Sequence, residues 1–139
     1  MHYSVTTDID VSLQRAWAAL IDVQTYPRWT RSMTTVCRGG AGELEVGSTA
    51  RIKQPWLPRT VWTVTRFEQE RSFVWQSKAR GVTTIAGHFL SRRADGGVTV
   101  VLTVVQDGPL AKALSTFTAG IVRRYVDLDA AGLKRSCET

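Results

Sequence analysis

The sequence predicts a single α+β domain: a curved seven-stranded antiparallel sheet wrapped around a long C-terminal helix, with two short helices after the first strand. Three observations carry this expectation. Leu110, Leu114, Phe117, Ile121, Tyr125 and Leu128 recur at alternating spacings of three and four, which is the helical period, and they share an arc of roughly 80°. From Met33 to Val105 the pattern changes to short alternating segments separated by turn residues, the mark of consecutive strands. A one-sided helix about 40 Å long needs an apolar surface to lie on. A sheet of that many strands curls, and its concave face must be covered.

In chain order, residues 2–10 alternate, with Tyr3, Val5, Thr7 and Ile9 on one side, as in a strand with one buried face. Ser12 offers an N-cap to a helix carrying Leu13, Ala16, Trp17, Leu20 and Ile21. That helix should end near Asp22, because Tyr26 precedes Pro27 and is pushed from the helical region. A further helical turn fits Tyr26–Trp29. Strands follow at Thr34–Arg38, Ser48–Gln54, Arg59–Phe67, Ser72–Lys78, Val82–Arg92 and Val98–Gln106. Their connections carry turn residues, of which Asp95-Gly96-Gly97 is the strongest hairpin signal. Pro55-Trp56-Leu57-Pro58 reads as a rigid loop. Strands joined by short connections should pair as an antiparallel meander. For the last helix, Asp107 or Gly108 serves as N-cap and Pro109 takes the first helical position.

A chain of 139 residues with 43% hydrophobic and 22% charged content is ordinary for one soluble globular domain, residues 1–139. The N-terminus has neither a basic stretch nor an apolar core, so no secretion signal is expected. Cys37 and Cys137 lie far apart without metal-site spacing, which predicts reduced thiols, a cytoplasmic location and no metal. The net charge of +6 is scattered, with only Arg92-Arg93, Arg123-Arg124 and Lys134-Arg135 as doublets. A solvated surface is the expectation, not a nucleic-acid face. No apolar run reaches membrane-spanning length, so integral membrane association is not expected. Oligomeric state is left at monomer or weak homodimer.

Trp17-x-x-Leu20-x-Asp22-x-x-x-Tyr26-Pro27-x-Trp29, followed by a strand meander and a long C-terminal helix, resembles the SRPBCC superfamily over essentially the whole chain. Gln54-Pro55, Leu57-Pro58, Val61-Trp62-Thr63-Val64-Thr65, Phe73-x-Trp75, His88 and Gly108-Pro109-Leu110 resemble its bacterial polyketide cyclase/dehydrase-like subgroup. The resemblance implies the helix-grip fold of START lipid-transfer domains, in which sheet and helix enclose a cavity. It leaves function open, because this fold hosts carriers, receptors and enzymes alike.

Strand parity then nominates the cavity wall: Trp62, Val64 and Arg66 on one strand, Phe73, Trp75 and Ser77 on the next, and Leu102 on the last. Leu114, Phe117 and Ile121 would face them from the helix, with Trp29 and Met33 near the mouth. His88 is placed inside, as the resemblance suggests, to orient a ligand. No phosphate-cradling glycine loop, nucleophile elbow or metal spacing is present in the sequence. Aromatase/cyclases similar to this fold carry a Trp-x-Ser-x-Arg strand; the matching Trp62-x-Val64-x-Arg66 has valine in place of the serine, which counts against that chemistry. The expected function is cofactor-free binding, with or without transport, of a small hydrophobic molecule such as a lipid or polyketide-like compound. A cyclase or dehydratase acting on a ketone is the alternative.

Overall fold

The computed structural model places residues 1–139 and describes all side chains except those of residues 112–117. Strand β1 (His2–Ile9) leads into helix α1 (Leu13–Ile21), a single 3-10 turn (Val23–Thr25) and helix α2 (Tyr26–Trp29). Strands β2 (Thr35–Arg38), β3 (Thr49–Lys53), β4 (Thr60–Glu68), β5 (Ser72–Ala79), β6 (Val82–Arg92) and β7 (Val98–Asp107) follow, and helix α3 (Ala111–Glu138) ends the chain. These are the elements that periodicity predicts, with strand limits within one residue. Ser12 caps α1 as expected, its Oγ accepting the Arg15 N–H at 3.2 Å.

The seven strands form one sheet in the order β1-β7-β6-β5-β4-β3-β2, and every neighbouring pair is antiparallel. The meander from β2 to β7 was legible from its short connections. The position of β1 was not: it lies along β7, from His2 opposite Val105 to Ile9 opposite Val98. Ile9, Leu20, Ile52, Phe73 and Leu133 are fully buried at the centre of the core.

Helix α3 runs beside β1 in the same direction, fastened at three points. Tyr3 O–H donates to Asp127 Oδ1 at 2.7 Å, Lys134 Nζ donates to the Asp8 carbonyl at 2.5 Å, and Glu138 Oε2 accepts the Asp10 N–H at 2.9 Å. Its start differs from expectation. Asp107 ends β7, and Gly108 turns with φ +110° while Leu110 N–H donates to the Gly81 carbonyl at 3.1 Å. The helix therefore begins at Ala111, with no side-chain cap at Leu110. Leu110 is half exposed and packs on Gly81.

The buried face of α3 also differs. Among the described residues Val122, Tyr125, Ala130, Leu133 and Cys137 are buried, whereas Ile121 and Leu128 are only partly so. The predicted stripe shares Tyr125 with the observed face but is otherwise turned by about 100°, one residue's rotation. Alanines, a glycine and an aspartate on the true face diluted its apolar signal.

Two glycines in α3 behave oppositely. Gly120, in mid-helix, is exposed, and an added Cβ would meet nothing within 4 Å among the described residues. The close approach is at Gly132, where a Cβ would run into the Trp29 carbonyl oxygen. Gly120→Ala should therefore gain about 1 kcal/mol through helix propensity, whereas Gly132→Ala should lose about 1–3 kcal/mol through overpacking. Urea denaturation of the two variants checks this; equal effects would contradict the seating of α3 on α2.

Candidate functional site

Between the concave face of the sheet and α3 lies a cavity of about 340 Å³. Its floor comes from strand positions that alternate inward: Trp62 on β4, Trp75 and Ser77 on β5, Thr84 and Ala86 on β6, Leu102 on β7. Helix α3 supplies Val122, Tyr125, Val126, Asp129 and Leu133 from above. Tyr26, Trp29 and Met33 close one side.

The aromatic residues form a continuous wall. Trp62 and Trp75 are 5.8 Å apart between ring centroids, Tyr26 meets Trp75 edge-on at 6.3 Å, and Trp29 lies 4.7 Å from Tyr26. Such rings supply dispersion and desolvation to an apolar guest with few rotatable bonds to fix.

Seven residues nominated from sequence line this space: Trp29, Met33, Trp62, Trp75, Ser77, His88 and Leu102. Four do not. Val64 and Phe73 are buried in the core beneath the cavity. Arg66 points to solvent with its side chain 73% exposed, 4.0 Å from Glu68. Its reversal has a local cause. The β4–β5 register shifts between Val64, opposite Trp75, and Arg66, opposite Val74, so a bulge at Thr65 breaks the alternation. Beyond it Phe67 turns inward and packs on Trp17 at 5.6 Å. Ile121 misses the cavity because of the rotated helix face. Leu114 and Phe117 lie outside the described residues.

His88 is buried with its ring stacked on Phe73, centroids 4.0 Å apart and planes 11° from parallel, and edge-on to Trp75 at 5.8 Å. Its Nδ1 is 3.1 Å from the Phe73 carbonyl. That oxygen can only accept, so Nδ1 carries the proton and Nε2 keeps its lone pair. Burial lowers the His88 pKa to about 4, against a smaller opposing effect of the Phe73 carbonyl. The imidazole is neutral at pH 7 and is held in place by the ring and carbonyl of Phe73.

Asp129 is the polar group that sequence reading missed. Its Oδ1 accepts from Thr30 Oγ1 at 2.7 Å and from Ser32 Oγ. Burial raises its pKa to about 6, and the two hydroxyls only partly counter this. A signal existed, since Asp129 sits four residues after Tyr125 and four before Leu133 on the inward face. A lone acid in helical register with apolar residues marks a buried polar site.

The mouth is formed by the loop after β3. Lys53 Nζ donates to the carbonyls of Gln54 at 2.8 Å and Leu57 at 2.5 Å, and Tyr125 O–H donates to the Pro55 carbonyl. Gln54, Leu57 and Pro58 line the opening, and Trp56, 88% exposed with φ +66°, stands at its rim. Among the described residues no group of three His, Cys, Asp or Glu is placed to hold a metal ion, and no helix is long and apolar enough to cross a membrane.

The two shifted groups oppose each other in acid. His88 contributes stability that is present above its unfolded value of 6.5 and lost as pH falls through about 4. Asp129 contributes stability that is present below its unfolded value of 3.8 and lost as pH rises through about 6. Each contribution is on the order of 3 kcal/mol, so between these values they nearly cancel. His88→Gln should make the protein more stable as pH falls from 6.5 to 4, and Asp129→Asn should make it less stable over the same range. Denaturant midpoints measured across that range check the signs; parallel slopes in both variants would contradict the assignment.

Residues 1–138 match the family described as "Polyketide cyclase / dehydrase and lipid transport". Among solved structures, a hypothetical protein from Helicobacter pylori superimposes with a TM-score of 0.82 at 13% identity, covering 99% of this chain and 86% of that one. A Thermus thermophilus protein gives 0.78 at 12% identity over 99% and 97% of the two chains. A protein from Nitrosospira multiformis gives 0.74 at 12% identity over 100% and 97%. No curated protein matches the sequence. At such identities the structural likenesses establish the helix-grip fold alone. The family match spans nearly every residue, and the chain belongs to the polyketide cyclase / dehydrase and lipid transport family.

Proposed function

We propose that the protein binds a small hydrophobic molecule in the cavity between sheet and α3, as a carrier or receptor. The observation that supports this most is the cavity itself. About 340 Å³ lies within the size range of small-molecule sites, and its wall is mostly aromatic and aliphatic with a few polar groups set among them. A helix seated to fill the concave face would have left no such volume. The family description, which includes lipid transport, agrees with this reading.

A second reading, cyclase or dehydratase chemistry on a ketone, draws support from the two polar groups on the wall. A carboxylate with a pKa near 6 is a base suited to proton transfer near neutral pH, and the neutral His88 imidazole, too weak a base for that role with its pKa about 4, can accept a hydrogen bond from the substrate. Turnover of a poly-ketone that is lost in His88→Gln would favour it.

The binding reading is tested with Nile red, an environment-sensitive hydrophobic dye. It should bind saturably at one site per chain. Ala86→Phe, which fills the floor of the cavity, should weaken binding by about tenfold or more while costing stability about 1–3 kcal/mol. Dye binding left unchanged in a folded Ala86→Phe variant would place the dye elsewhere and remove the support for the cavity as the site.

A further inference from the structure

The polar groups of this cavity are not a balanced set. His88 holds its proton on Nδ1, toward the Phe73 carbonyl, and offers Nε2 as an acceptor. The two hydroxyls that contact Asp129, those of Thr30 and Ser32, both reach Oδ1. Oδ2 accepts nothing from the described residues, and Asp129 belongs to the cavity wall. No lysine or arginine among the described residues forms an ion pair with it.

The two tyrosine hydroxyls on the wall are committed, while the buried Trp62 Nε1–H has no partner among the described residues. Tyr26 O–H donates to the Leu20 carbonyl at 2.5 Å, and Tyr125 O–H is held by Pro55. Arg80 lines the cavity but is exposed. The cavity thus presents a carboxylate, an imidazole lone pair and one indole N–H on an apolar wall, with no cation paired to the carboxylate among the described residues. A carboxylate in such surroundings is unfavourable unless something supplies a hydrogen bond and positive charge.

We infer that the ligand is an apolar molecule carrying a cationic amine, seated with its ammonium on Asp129 Oδ2 and its hydrocarbon part against the Trp62–Trp75 wall. This rests on the reading of the cavity as a binding site and names the class of molecule it takes. An ammonium donates to Oδ2, replaces the missing countercharge, and makes a charge-assisted bond stronger than an alcohol's. A carboxylic acid of the same length would meet Asp129 with like charge.

Isothermal titration calorimetry of the intact protein with decylamine, decanol and decanoic acid, which share one chain length, separates these possibilities. At pH 7.5 decylamine should bind about tenfold or more tighter than decanol, with decanoic acid weakest. Asp129→Asn should bind decylamine and decanol alike. At pH 5 the wild-type preference should also fall, since Asp129, with its pKa about 6, is then mostly protonated. Ionisable groups on the surrounding elements include Asp22, Tyr26, Arg28 and Arg31 on the α1–β2 segment, His88 on the floor, Arg80 and Tyr125 on the wall, and Arg123, Arg124, Asp127, Lys134, Arg135 and Glu138 elsewhere on α3. His88 stays neutral at pH 5, and Tyr26 is held neutral by burial. The pH arm needs no variant to fold. Decanol bound as tightly as decylamine, or a preference unchanged by Asp129→Asn and by pH 5, overturns the inference and leaves the cavity reading standing. Failure of all three probes to bind overturns both.

Discussion

The structure depends on how α3 is seated. Its C-terminal half is drawn against α2, with Gly132 letting the helix backbone meet the Trp29 carbonyl. The Arg135 guanidinium donates to that same oxygen at 3.2 Å, and Asp129 binds the hydroxyls of Thr30 and Ser32 one turn earlier. Beside it, Tyr3, Asp8 and Asp10 of the first strand and its end hold the outer flank. With the helix pinned along this line, Leu133, Ala130 and Cys137 complete the core. Nearer the middle of the helix, Val122, Tyr125 and Val126 border the cavity instead. The cavity is the space left by that geometry.

Seating and site share residues. Asp129 joins the helix to the segment after α2 and also lines the cavity; Tyr125 lines it and holds the mouth loop through Pro55. Likewise Phe73 is pure core, fully buried, yet its ring and carbonyl fix the orientation and tautomer of His88. The polar groups of the site are therefore held by packing, not by solvent-exposed loops, and such support favours a fixed binding geometry. A group shared in this way also links occupancy of the cavity to the stability of the fold.

Most of the fold was legible in the sequence because its signals were local. Alternation in β3 puts Ala50 and Ile52 inward, and the Gly-rich turn after Arg93 sets the last hairpin. The site was half legible. Parity put Trp62, Trp75, Ser77 and Leu102 on the face that lines the cavity, because each sits in an uninterrupted stretch of strand, whereas His88 was placed there by the family resemblance and not by its alternation. It failed at Arg66, where the bulge at Thr65 reverses the alternation with no glycine or proline to announce it. It failed on α3 for another reason. Helical periodicity rewards large apolar side chains, whereas a helix that borders a cavity carries small and polar ones inward. Asp129 and Gly132 were invisible to a search for hydrophobic stripes, and they are the residues that seat the helix. The pairing of β1 with β7 spans nearly the whole chain and has no local signature.

The central claim is that the space under α3 is a ligand site. The most direct test follows the indole N–H signals of the five tryptophans by NMR during titration with decanol. Trp29, Trp62 and Trp75 line the cavity, whereas Trp17 packs on Phe67 in the core. Saturable shifts at the first three with Trp17 unmoved are the predicted result. Shifts that never saturate, that include Trp17 equally, or that are absent altogether would contradict it.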